Sequence, residues 1–177
     1  LWDSSVGEVI RSTVGAPLYG LPQDEPQFSL RQIPSSVFSG FVKNTRLVLK
    51  ITKGVAPSTK FYTNPYASPQ KMVVVNGMTN EEIVDQINTN QAKIKKAFKA
   101  QEIQEKQRRS KKALFNSESI TNQLGINIQF PSVYRIAKQE NDFFWIRRDI
   151  KTGTVNLLLY TLPYDKNLTE DDLAKRV

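Results

Sequence analysis

From Thr79 onward the apolar residues Ile83, Ile87, Ile94, Ala97 and Phe98 recur at helical intervals. That spacing places them on one stripe of a helix, and Thr79 with Glu82 has the spacing of a capping box that would start it. A helix this long, over about 80–112, needs a surface for its stripe, because most helical stability in proteins comes from packing. The residues just upstream supply one. In "QKMVVVN" the run Met72 to Val75 is continuous and mostly β-branched, which predicts a central strand buried on both faces. In "TRLVLKIT" Leu47, Leu49 and Ile51 alternate with Arg46, Val48 and Lys50, the period of a strand with one face buried. "KFYTNPY" reads as an edge strand, since Pro65 removes a ladder donor, and "FSLRQI" (28 to 33) as a further strand.

The ends of the chain obey the same logic. Ser5 and Glu8 form a capping-box pair, Val6, Val9, Ile10 and Val14 keep helical spacing, and Gly15 stops a helix over about 5–14. Pro34-Ser35-Ser36 opens a short helical segment around Val37 to Val42. Downstream, Asn116 or Ser117 caps a short helix through Ile120 and Leu124 that Gly125 closes. "INIQF" alternates as a strand; "FFWIRRDI" and "TVNLLLYTL" flank Lys151-Thr152-Gly153, a loop suited to an antiparallel hairpin. Thr169 and Asp172 open a last helix. The predicted architecture is α+β: a mixed, mostly antiparallel sheet with helices packed on one face, the long amphipathic helix being the largest, in a single unit 1–177. With 39% apolar and 24% charged residues, a packed globular chain is expected.

Charge is concentrated in one place. "KIKKAFKAQEIQEKQRRSKK", Lys93 to Lys112, holds nine Lys or Arg against two Glu, a local +7 in a chain of +8, so the remainder is close to neutral. Lys93, Lys95, Lys96 and Lys99 fall mainly outside the apolar stripe, which makes them the wet face of an amphipathic helix. After Gln101 the stripe fades to Ile103 alone, so the helix should project or fray there. Three readings of the run stay open: a solvated face, a grip on nucleic acid or another anionic polymer or surface through residues such as Lys95, Lys99, Arg108 and Arg109, or a helix that meets a partner protein. The run's confinement to one segment favours the first, so a nucleic-acid partner is not expected.

Reaction chemistry is sparsely represented. The chain has no cysteine and no histidine, which removes disulfides, thiol nucleophiles, sulfur- or imidazole-based zinc sites and histidine-dependent triads. Gly7, Gly15, Gly20 and Gly40 are too widely spaced for a phosphate-binding loop. Neither a cofactor nor a metal is called for. Carboxylate pairs stand at Asp24/Glu25, Glu81/Glu82, Glu140/Asp142 and Asp171/Asp172, and a carboxylate-dependent hydrolase would need two of them across a cleft. Glu81, Glu82, Asp171 and Asp172 sit in predicted first helical turns, where negative charge complements the helix dipole, so a non-enzymatic chain is expected. In "DFFWIRRD" (142 to 149), alternation sends Phe143, Trp145 and Arg147 to one side and Phe144, Ile146 and Arg148 to the other. An aromatic beside an arginine can form a stacking platform for bases, sugars or a peptide. Alternatively Trp145 packs under a helix while Arg147 or Arg148 pairs with Asp149 or another acid.

"LWDSSVGEVIR", "PLYGLPQDEPQFSLRQIPSSVFSGF", "ITNQLGINIQFPSVYRIAKQENDFFWIRRD" and "LLLYTLPYDKNLTEDDLAKR" together resemble the N-terminal portion of a Bacteroidetes-type family of cell-envelope lipoproteins of unknown function. The most specific pieces are Leu21 to Pro26 leading into Ile33-Pro34, and the block Asp142 to Arg148. The resemblance implies a lipid anchor and an upstream strand before Leu1, a further α+β region after Val177, and a protein facing the periplasm or cell surface, at the outer membrane rather than the inner. It implies another envelope protein or a cell-wall component as partner. It supplies no catalytic residues to carry over.

Overall fold

The structure, a computed structural model, describes residues 1–21 and 23–163. Among the described residues the chain is α+β, with three α-helices and two three-stranded sheets. It divides into two compact units, Leu1–Lys106 and Gln107 onward, each with its own core, where the sequence suggested a single unit.

In the first unit, helix α1 (Ser5–Thr13) starts where expected, but its cap is Ser4 rather than Ser5. Ser4 is the cap, its backbone extended and its hydroxyl accepting from the Val6 amide at 3.4 Å. Strands β1 (Leu47–Lys53), β2 (Ser58–Thr63) and β3 (Lys71–Gly77) form a sheet of order β1-β3-β2, with β1 parallel and β2 antiparallel to the central β3. Met72, Val73 and Val75 are buried, as expected of a central strand, and β2 lies at an edge. Register puts Leu47, Leu49 and Ile51 beside Lys71, Val73 and Val75, so the alternating residues of both strands share one face. Helix α2 (Asn80–Ser110) lays Ile83, Ile87, Ile94 and Phe98 on that face, together with Val6, Ile10 and Val14 of the α1 region.

Three expectations about this unit are corrected. Residues 28–33 form no strand; Phe28 is instead a lone anchor, its ring edge-on to Phe98 at 5.9 Å. The segment around Val37 to Val42 forms two 3₁₀ turns, Ser35–Val37 and Gly40–Asn44, rather than one helix. The stripe of α2 does not fade after Phe98: Gln101 and Glu105 carry it on as buried polar residues, while Ile103 is exposed. Between them on α2, Glu102 is held by Arg46, just before β1. Its guanidinium donates from Nε to Glu102 Oε1 at 2.6 Å and from Nη2 to Glu102 Oε2 at 3.1 Å, a two-point bond to a carboxylate. The Glu102 hydrogen bond raises the Arg46 pKa against the opposing effect of burial, and the charges of Glu102 and Glu105 raise it further.

In the second unit, α3 (Glu118–Leu124) opens at Asn116, whose side chain accepts from the Glu118 amide at 3.0 Å. It closes at Gly125, whose φ of 69° is the left-handed region a glycine tolerates. Strands β4 (Arg135–Glu140), β5 (Phe143–Ile150) and β6 (Gly153–Tyr160) form an antiparallel meander. The β5–β6 hairpin matches expectation, whereas β4 has no counterpart in the sequence reading and "INIQF" forms no strand. Pro131, directly after Phe130, has no amide to donate to a ladder, and its only pairing is an isolated bridge with Leu114. Phe130 still reaches the core, stacked on Phe115 at 4.7 Å. The expected helix at Thr169 and Asp172 lies outside the described residues.

Candidate functional site

Strand β5 divides its side chains between two environments. Phe144 and Ile146 are fully buried and meet Ile120 of α3, Leu157, Leu159 and Ile136 in the core. Phe143, Trp145 and Arg147 therefore stand on the opposite face, as alternation predicts. No helix covers that face among the described residues, so Trp145 does not pack under one. It is half-buried among its strand neighbours, its indole N–H donating to Asn156 Oδ1 on β6 at 2.9 Å.

Strand register assembles the rest of the surface. Phe143 pairs with Tyr160 and Glu140, Trp145 with Leu158 and Lys138, and Arg147 with Asn156 and Arg135. Leu158 is 52% exposed and Tyr160 39%. The central row is thus apolar and aromatic, and its flank is ionic. Arg147 donates from Nε to Asp149 Oδ1 at 2.9 Å, Arg135 reaches Asp149 Oδ2 at 3.7 Å, and Lys138 pairs with Glu140 at 2.7 Å. Three cations against two carboxylates leave the flank nearly neutral. Arg148 faces the other way, its guanidinium over the Tyr134 ring at 5.9 Å. Thus Trp145 and Arg147 belong to one surface and Arg148 does not.

Leu158, Tyr160, Asn156 and Lys138 were missed as site residues. The signal for the first three is present in "TVNLLLYTL", whose alternate residues must share Trp145's face once the hairpin register is set. Lys138 has no such signal, because a register irregularity between Ile136 and Lys138 changes which residues of β4 face outward.

The remaining predicted residues lie on α2. Lys95 is half-buried and Lys99 exposed, both in the first unit. Arg108 and Arg109 occupy the last turn, in the second unit, where cations complement the helix dipole, and both are engaged with other groups. The described carboxylate pairs sit on separate elements. Asp24 and Glu25 are exposed in a loop, Glu81 and Glu82 are in the first turn of α2, and Glu140 and Asp142 lie at the β4–β5 turn. Glu82 Oε2 accepts from the Met78 amide at 2.7 Å, and its amide donates to Thr79 Oγ1 at 3.3 Å, so this pair serves the helix cap. A shallow apolar hollow of about 200 Å³ lies beside β6, lined by Leu124, Ile126, Leu158, Leu159, Tyr160 and Thr161, with no acid in its wall.

Comparison with known families divides the chain at nearly the same place as its own folding does. Residues 1–111 match the family described as Domain of unknown function (DUF8532). The chain belongs to this family. Residues 113–176 of this DUF8532 member also match the Domain of unknown function (DUF4837). The open face of β4, β5 and β6 thus falls in the DUF4837 segment and the cationic helix α2 in the DUF8532 segment. No curated protein and no solved structure matches the chain.

Proposed function

We propose that this DUF8532 member is a non-enzymatic interaction module of the bacterial cell envelope, lipid-anchored in its complete form, that docks another envelope protein on the open face of the β4–β5–β6 sheet. One observation carries this reading: Phe143, Trp145, Leu158 and Tyr160 form a contiguous apolar row facing away from the core, flanked by arginines and acids. Tryptophan, tyrosine and arginine dominate the energetics of protein interfaces, typically at the centre of a patch with a polar rim. The surface has that order, with Trp145 on the middle strand and charge on β4 and at the Arg147–Asp149 end of β5. A polyanion is poorly served by it, since Asp149 and Glu140 neutralise most of the positive charge. The envelope location rests on the sequence resemblance alone.

A photoreactive residue in place of Leu158, introduced in the native cell, tests the proposal. The expected result is crosslinking to one discrete protein in the envelope fraction, lost when Trp145→Ala is added, and no product from the same probe at Lys60. An interface anchor of this type weakens binding by more than about 30-fold on truncation. A probe at Leu158 that captures nothing beyond the Lys60 control, or a chain found wholly in the soluble fraction, overturns it.

A further inference from the structure

Helix α2 carries a second surface, unrelated to the sheet face and chemically unlike it. Its buried stripe of Ile83, Ile87, Ile94, Phe98, Gln101 and Glu105 fixes the rotation of the helix, so the opposite side is committed to solvent. At about 100° per residue, Lys93, Lys96, Lys99 and Ile103 fall within an arc of about 120° and along about 15 Å of axis. All four are exposed, Ile103 at 44%.

The acids that could neutralise these lysines are withdrawn. Glu102, three residues from Lys99, is held by Arg46 in a two-point bond, and Glu105 is buried. Among the described residues no carboxylate lies within ion-pair distance of Lys93, Lys96 or Lys99. An ordinary solvated helix of this kind would intersperse acids one turn from its lysines. Here they face the protein and the cations face out.

We infer that this face of α2 docks on an anionic phospholipid surface, with Lys93, Lys96 and Lys99 among the headgroup phosphates and Ile103 at the acyl boundary. Three features select a lipid surface over nucleic acid. The cations are lysines, compact point charges without the planar fork that reads phosphate or guanine bidentately. No aromatic side chain stands among them to stack a base, Phe98 being buried. And Ile103, an exposed apolar side chain at the centre of the arc, gains by entering a membrane interface and gains nothing against a phosphate backbone. The inference is independent of the sheet-face proposal.

Flotation of the 177-residue chain with vesicles tests it, comparing phosphatidylcholine alone with an equal mixture of phosphatidylcholine and phosphatidylglycerol. Binding is expected only to the mixture and is expected to vanish at high salt. Each lysine near a charged bilayer contributes about fivefold to binding, so Lys93→Gln/Lys96→Gln/Lys99→Gln together should weaken it on the order of 100-fold. A control removing the same charge elsewhere in the first unit, Lys43→Gln/Lys50→Gln/Lys60→Gln, should change it less than about threefold if charge acts near the bilayer only. Ile103→Ser should weaken vesicle binding further while leaving any affinity for duplex DNA unchanged. No binding to the mixed vesicles at low salt, equal losses in the two triple variants, or tighter binding to DNA than to the mixed vesicles each overturns the inference.

Discussion

Gln70→Leu removes a buried amide that ties two segments of the first unit together, residues 43–45 and the loop 64–70. The side chain is fully buried immediately before β3. Its Nε2 donates to the Lys43 carbonyl and, at 2.8 Å, to the Thr45 carbonyl, while its Oε1 accepts from the Tyr66 amide at 3.1 Å. Leucine leaves all three backbone groups without that partner. Each orphaned group costs about 1–2 kcal/mol, at the low end where water can reach it, and burying the leucine returns about 2 kcal/mol. The expected net loss is about 1–4 kcal/mol, which for a unit of this size is a fall in Tm of about 5–30 °C. Gln70→Glu sharpens the test. A carboxylate there faces two carbonyl oxygens in a buried site, so its folded pKa must lie above its unfolded one. Its destabilisation is therefore largest at neutral pH and recedes as pH falls and the group is protonated. Each unit contains one tryptophan, Trp2 or Trp145, so urea unfolding tracked by Trp2 fluorescence in a Trp145→Phe background reports the first unit alone. A loss under about 0.5 kcal/mol for Gln70→Leu, or a Gln70→Glu stability that does not change between about pH 5 and 8, would refute the reasoning.

Further expectations concern the other contacts. Phe144→Ala, at a fully buried position, should cost about 3–5 kcal/mol, enough to abolish hydrogen-exchange protection in β5 while β3 keeps its own. Arg46 and Glu102 are about one-third exposed, so Glu102→Gln should cost only about 1 kcal/mol, and a double-mutant cycle with Arg46→Met should recover most of it as coupling. The Glu81 carboxyl is held below its usual range, chiefly by its own backbone amide and then by the Thr79 hydroxyl. Its stabilisation of the α2 start is thus present above its ordinary value of 4.5 and lost as pH falls through the lower folded value. Glu81→Gln should flatten the urea midpoint across that acid range.

By itself the sequence determined the elements whose side chains repeat with a clear period and a clean stop. α2, the central strand β3, the β5–β6 hairpin and the split of β5 between two faces all come from spacing, because burial of one face rewards a fixed period whatever lies against it. Tertiary structure decided where periodicity is silent. Gln70 looks like a surface residue in a linear reading, yet it is buried because the carbonyls of Lys43 and Thr45, distant in sequence, satisfy its amide, and Gln101 and Glu105 are likewise buried on α2. Phe28 and Phe130 lie in stretches that read as strands, but among the described residues neither stretch joins a sheet, and a strand exists only with a partner. Which of β5's faces stays open was likewise undecidable from alternation, since the choice belongs to Ile120 and its helix, which cover Phe144 and Ile146 and leave Trp145 to the outside.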